Sequence, residues 1–217
     1  MKIKVLDKKE NELVFMIEGI DNAIANTIRR IIISEVPTLA VDEVEFVKNQ
    51  TALYDEILAH RIGLMPIKTD LKAYSLKDGA STKATTELKL TLKAKGPKTV
   101  YSGDFKSKDA KCVPVNDNIP LAILLKDKEL VLEATAILGK GKEHMKFAPG
   151  LCHYVNAPVK FKSLEDLKDE DQEMSKENFV FFLESWGQLS CKEIFDEAMR
   201  ILDKKLDEFS KKVVKAK

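Results

Sequence analysis

An α+β fold is the architecture this sequence predicts: one sheet with two amphipathic helices, interrupted by a β-rich insert. Three observations carry the prediction. Apolar residues recur at helical spacing over 22–36 and again from Ser190 onward, near the two ends of the chain. Short strand-like runs accompany each of these helices. The middle of the chain alternates with a period of two and holds little helix pattern. At 217 residues the chain can bury one large core or two modest ones. This reading puts residues 1–46 and 172–217 in one discontinuous domain, 47–157 in the insert, and 158–171 in a charged linker.

Taken in order, residues 3–6 and 13–17 read as a hairpin around a polar turn, leading to Gly19. Asp21 or Asn22 caps the first helix and Pro37 ends it. Val44 and Phe46 alternate with Glu43 and Glu45, the mark of a half-buried strand. A short helix over 54–63 is stopped by Gly63 and Pro66. The cleanest strand is 85–94, with Leu88, Leu90 and Leu92 on one face and Glu87, Lys89 and Lys93 on the other. Strands 119–125 and 130–138 flank a turn at 126–129. The charged run 162–176 reads as a linker or an exposed short helix, and 179–184 as a bulky apolar strand. Ser190 and Glu193 then form a capping box before a long helix with Ile194, Ala198, Ile201, Leu202, Leu206, Phe209 and Val213 on one stripe. Core packing accounts for the first half of that stripe. The whole, about six turns, exceeds what a small sheet covers, so a partner helix is expected on the rest.

The helix at 22–36 has two demanding faces. Ile24, Ile28 and Ile31 fall on one stripe, while Asn26, Arg29 and Arg30 fall opposite with Ile33 among them. An isoleucine between arginines implies that the polar back is covered too. Of 36 basic residues only Arg29, Arg30, Arg61 and Arg200 are arginine, so the chain uses lysine where solvated charge suffices. Arginine's planar fork suits desolvated, bidentate contacts, although a neighbouring pair is also compatible with plain solvation.

Composition excludes several classes. A net charge of +1 with 33% charged residues gives no overall pull toward nucleic acid or membrane. The region 68–111 holds eleven lysines against five acids, which reads first as a solvated surface and only second as a weak nucleic-acid contact. No apolar run reaches the ~18 residues of a membrane span and no signal-peptide pattern opens the chain, so a cytoplasmic protein is expected. Cys112, Cys152 and Cys191 lie far apart with no Cys-x-x-Cys pair, which argues against zinc ribbons and iron–sulfur sites.

Catalytic motifs are scarce. Residues 55–60 resemble a helicase Asp-Glu-x-His motif, but the spacing differs and no P-loop exists; 139–142 lacks the spacing of a Walker A loop. A stand-alone metal-dependent hydrolase using Asp55, Glu56 and the histidines His60, His144 and His153 is the rival reading, and it needs convergence that sequence does not display. The loop 141–150, bounded by glycine and proline, is either an exposed turn or a docking loop.

Four ordered blocks now carry a resemblance. Residues 26–31 (Asn-Thr-Ile-Arg-Arg-Ile) with 34–37, then 53–66, the loop 141–149, and 182–187 (Phe-Leu-Glu-Ser-Trp-Gly) together resemble the RNA polymerase alpha-like family. That family comprises the archaeal D component of DNA-directed RNA polymerase, the third-largest subunit of eukaryotic polymerase II and the amino-terminal domain of bacterial alpha. The second block is similar to the archaeal–eukaryotic version, and the short length favours the archaeal one. The resemblance implies an alpha-like dimerisation domain interrupted by an insert domain, in a non-catalytic scaffold subunit. It implies that Ile24, Ile28 and Ile31, with Ile194, Ala198, Ile201, Leu202, Leu206 and Phe209, face the small alpha-like L subunit. It implies that Asn26, Arg29, Arg30 and Ile33 dock the second-largest subunit. His60, Arg61, Lys142, Glu143, His144 and Lys146 become insert-domain contacts, and the small zinc-binding N and P subunits join the assembly. Many archaeal relatives carry a cysteine-rich iron–sulfur module before the last strand; here 155–175 holds no cysteine, so no cofactor is expected. A homodimeric scaffold, in the manner of bacterial alpha, stays open because both partners share the same helix pattern.

Overall fold

The computed structural model describes residues 1–76, 86–168 and 172–215. In chain order the elements are β1 (Lys2–Lys8), β2 (Glu12–Glu18), α1 (Asn22–Ser34), β3 (Pro37–Asn49) and α2 (Asp55–Gly63). There follow β4 (Glu87–Lys95), β5 (Lys98–Tyr101), β6 (Lys106–Ser107), β7 (Pro120–Leu124) and β8 (Glu129–Lys140). The chain closes with β9 (Gly150–Pro158), β10 (Met174–Ser185) and α3 (Cys191–Lys215). Thr85 of the expected strand, part of the lysine-rich region 68–111, the last residues of the expected linker and residues 216–217 lie outside the described residues.

Contacts divide the chain into two units: Met1–Val36 with Pro149–Trp186 and Ser190–Lys217, and Pro37–Ala148 with Gly187–Leu189. These limits differ from the division at 46/47 and 157/158 that the sequence suggests. The reason is hydrogen bonding. β3 pairs along its whole length with β8, from Pro37↔Lys140 to Asn49↔Leu130, so residues 37–46 belong to the central sheet. β9 pairs with β10, so 150–157 belong with the chain ends. Sequence reasoning assigns no element to β9, because its burial alternates while apolar residues fall on both faces, Leu151 and Val155 being exposed. Pro37 does not itself terminate α1, which ends at Ser34; it opens β3.

In the first unit the sheet order is β1-β2-β10-β9, all neighbours antiparallel. Its inner face carries Phe15, Ile17, Phe179, Phe181 and Leu183, all buried. Phe15 and Phe181 are directly paired across the strands and stack at 5.2 Å, and Phe195 of α3 meets Phe15 edge-on at 4.9 Å. Gly150 permits the β9–β10 approach: a Cβ there would lie 2.0 Å from the Glu184 carbonyl oxygen. On the outer face Met16, Val180 and Ala157 are roofed by Phe161, Leu164 and Leu167, the last two within a short 3₁₀ turn, Leu164–Lys168. The charged run therefore folds back onto the sheet through its few apolar residues.

In the second unit the sheet order is β3-β8-β4-β6, beside a two-stranded β5-β7 sheet. Strict alternation decides the faces. Leu130, Leu132, Ala134, Ala136 and Leu138 of β8 and Leu88, Leu90, Leu92 and Ala94 of β4 point inward, under Leu58 and Ile62 of α2. The other face is charged, with Lys89 paired to Glu133 and Lys48 to Glu129 at 2.8 Å. No described helix is long and apolar enough to cross a membrane.

Candidate functional site

Asp21 caps α1, its side chain accepting from the Ile24 amide at 2.8 Å, and Ser34 donates back to the Arg30 carbonyl at the other end. The helix so fixed buries Ala25, Ile28, Ile31 and Ile32 within its own unit and leaves Ile24 44% exposed. Ile28 and Ile31, partner-facing by the sequence reading, are thus 2% and 5% exposed in the chain alone. On the polar side Arg29 is half-buried and its guanidinium donates twice to Asn26 Oδ1, at 2.9 and 3.2 Å. That pair is pre-organised, with the fork held by its neighbour one turn back. Arg30 is exposed and Ile33 half-buried.

Helix α3 starts from the expected capping box: the Ser190 amide and hydroxyl both donate to Glu193 Oε2, at 2.9 and 2.6 Å. Its length divides into two halves of different character. Cys191, Ile194 and Ala198 are buried against the unit's own sheet, and Ile201 and Leu202 are half-buried. Beyond them Leu206 is 57% and Phe209 67% exposed, and Val213 and Val214 continue the open apolar surface. An ion pair from Lys205 to Glu35 at 2.8 Å ties this half to the end of α1. Beside the first half, Ile3, Val5, Leu13, Phe15 and Phe195 line an apolar groove of about 430 Å³.

The second unit brings His60 and His144 together at one cavity of about 230 Å³, with Asp42 and Lys146. His144 Nδ1 accepts from the Lys146 amide at 3.1 Å, which caps a 3₁₀ turn, Met145–Phe147. Lys146 reaches Asp42 at 2.8 Å and lies 5.0 Å over the Phe147 ring. Phe147 is buried, its carbonyl accepts from Thr38 Oγ1 at 2.8 Å, and a Cβ on Gly139 would come within 2.7 Å of its ring. The loop is therefore anchored from below rather than a free turn. Arg61 is exposed and donates to the Pro120 carbonyl, while Lys142 and Glu143 are exposed on the turn. Sequence reasoning misses Asp42, whose contact with Lys146 spans 104 residues.

The convergence needed for a metal-dependent hydrolase does not occur. Asp55 and Glu56 do not line the cavity shared by His60 and His144. No group of three His, Cys, Asp or Glu side chains suited to a metal forms among the described residues. All three cysteines are buried and free. Burial pushes the Cys152 thiol up to about 12, against the pull of the Arg29 charge, and the Cys112 thiol up to about 11.

Two amphipathic helices thus pack on a sheet whose strands are separated in sequence by a β-rich insert. Residues 41–149 match the RNA polymerase Rpb3/RpoA insert domain. The chain is 38% identical to DNA-directed RNA polymerase subunit Rpo3 of Pyrococcus horikoshii, with 96% of each chain covered. It is 36% identical to Rpo3 of Thermococcus kodakarensis, again over 96% of each, and 32% to Rpo3 of Archaeoglobus fulgidus over 97% of each. The chain belongs to the family of Rpo3 subunits of archaeal DNA-directed RNA polymerase. These alignments run over 251 to 256 positions, more than the 217 residues of this chain, so the relatives hold residues without a counterpart here.

Proposed function

We propose that the chain is a non-catalytic, cytoplasmic assembly subunit, the D component of its polymerase, that pairs with the small alpha-like L subunit. The observation that carries this reading is the open stripe of Leu206, Phe209, Val213 and Val214 on an otherwise well-formed helix. Water-exposed aliphatic and aromatic groups in a row at helical spacing are costly unless covered. In this reading Ile24, Ile201, Leu202, Leu206 and Phe209 touch L, while Ile28, Ile31, Ile194 and Ala198 form the floor beneath them. Asn26, Arg29, Arg30 and Ile33 face the second-largest subunit, which uses the fixed Asn26–Arg29 pair as a rigid donor. His60 and the loop with His144 and Lys146 serve contacts of the insert, including the small N and P subunits. The interface with L buries on the order of 2,000 Å² or more, as obligate pairs do.

Light scattering after size exclusion tests the pairing, on the chain alone and co-expressed with L. A soluble 1:1 complex from a chain that self-associates alone is expected; a stable monomer that ignores L overturns the reading. Arg30→Ala is expected to keep that complex while weakening retention of the second-largest subunit about tenfold, the loss of one charge-assisted contact. Loss of the L complex in this variant would mean that the two faces have been exchanged.

The chain carries no iron–sulfur cluster in this reading, in keeping with relatives longer than itself and with thiols that burial holds protonated. Native protein at pH 8 is expected to leave a disulfide thiol reagent unreacted, and to release three thiols only on unfolding. Stoichiometric iron in anaerobically purified protein would refute it.

A further inference from the structure

The cavity that His60 and His144 share in the second unit has apolar walls, Val41, Val44, Ala59, Gly63 and Leu64, and four polar side chains. The polar set is unbalanced. His144 Nδ1 accepts the Lys146 amide proton at 3.1 Å, so the neutral ring carries its own proton on Nε2. Nε2 therefore acts as a donor and has no lone pair to give a metal. Lys146 is 14% exposed, and its ammonium has three N–H groups, of which one meets Asp42 at 2.8 Å. The His60 ring forms no hydrogen bond among the described residues. On these side chains the unused donors of His144, Lys146 and His60 outnumber the acceptors that Asp42 and His60 offer.

A set rich in donors calls for an oxygen anion. A carboxylate suits it better than a phosphate, because Asp42 already offsets the Lys146 charge and a dianion would be left unbalanced. The surroundings decide where the carboxylate comes from. Ile57, His60, Arg61 and Leu64 recur at helical spacing on the outer side of α2. Met145 lies in the turn between His144 and Lys146. Ile57, Leu64 and Met145 are each more than half exposed. Arg61 donates to the Pro120 carbonyl and forms no other hydrogen bond among the described residues. Methionine and arginine beside exposed aliphatic groups are what protein interfaces favour, and a free anion makes no use of such a rim.

We infer that this cavity seats an aspartate or glutamate side chain of a partner protein, whose neighbouring apolar residues cover Ile57, Leu64 and Met145. The carboxylate accepts from His144 Nε2, from Lys146 and from the His60 ring, and its methylene stem lies against the apolar walls. This seat rests on the proposed insert contact and supplies its chemistry. It is independent of the pairing with L.

The test is a titration of the isotope-labelled full chain at pH 8, above the usual histidine range, with the peptide acetyl-Leu-Glu-Leu-amide and its glutamine counterpart. Amide shifts and histidine ring nitrogens are read. A bare Nδ1 and a protonated Nε2 are expected at His144 before any peptide is added; the opposite tautomer overturns the proposal. Saturable shifts at Ala59, His60, Leu64, His144 and Lys146 are expected with the glutamate peptide, and about tenfold weaker binding of the glutamine peptide. His144→Asn keeps an oxygen to accept the Lys146 amide but withdraws Nε2, and is expected to weaken the glutamate peptide about tenfold. Equal binding of the glutamine peptide would make the cavity merely apolar. Inorganic phosphate bound as tightly, with the same shifts, would make it a site for free anions. Either result overturns the proposal. Polymerase reconstituted with His144→Asn is expected to hold its other subunits less firmly. Poor assembly of that variant without peptide binding by the unaltered chain would leave the insert contact standing and remove the carboxylate. Peptide binding with assembly unaffected would remove the insert contact and, with it, the proposed occupant.

Discussion

Phe209→Asp is expected to abolish pairing with L while leaving the isolated chain as stable as before. Phe209 is 67% exposed in the last turns of α3, so the substitution removes little buried surface from the chain itself. Surface changes of this kind shift stability by within about 0.5 kcal/mol. In the proposed pair the same position is covered, and a carboxylate buried there without a partner combines lost apolar contact with desolvation of charge. A penalty of about 3 kcal/mol or more, roughly a hundredfold in Kd, follows. Thermal unfolding of the variant alone and its co-purification with L are the two measurements. An unchanged melting temperature with no complex is the expected pattern. Normal co-purification would remove the exposed half of α3 from the interface.

Ile28→Asp is expected to fail earlier, by unfolding the first unit. The sequence alone makes Ile28 a partner-facing residue, where a charge would block pairing directly. At 2% exposure it packs inside its own unit, so aspartate leaves a cavity and an unpaired charge in the core of the chain itself. The cost, about 4 kcal/mol or more, is a large share of the stability of an ordinary domain. Circular dichroism of the variant without any partner should show lost cooperative unfolding. Ile28→Val, which removes one methylene, is expected to cost about 1 kcal/mol and keep pairing. A folded Ile28→Asp chain that merely fails to bind L would mean that α1 is held open to the partner.

The contrast between these two residues marks the limit of what is legible in the sequence. Periodicity finds both helices, their caps and their apolar stripes, because a 3.6-residue repeat is a local property. It does not divide a stripe between the chain's own sheet and an outside partner. That division depends on where a sheet of fixed width ends, and for α3 it falls near Leu202. The central strands that alternate cleanly are equally legible. β9 is not, because its neighbours in the sheet, not its own pattern, decide which of its side chains are covered. The domain limits slip for the same reason: residues 37–46 look like an appendage of α1 until their partners in β8, about a hundred residues on, are known. In the insert, the His60–His144 cavity draws on three separate stretches, and Asp42 becomes visible only through Lys146. The stack of His153 on Phe182 likewise depends on the register between β9 and β10.

The divided character of α3 has a consequence for supply. Its first half is satisfied by the chain itself. Its second half is open in the chain itself, so under the proposed pairing each copy made in excess of its partner displays an adhesive helix. Such a chain is soluble in proportion to the partner present and tends to associate with whatever apolar surface it meets otherwise. Under that pairing, balanced synthesis of the two subunits becomes a physical requirement, set by a few exposed side chains at the end of one helix.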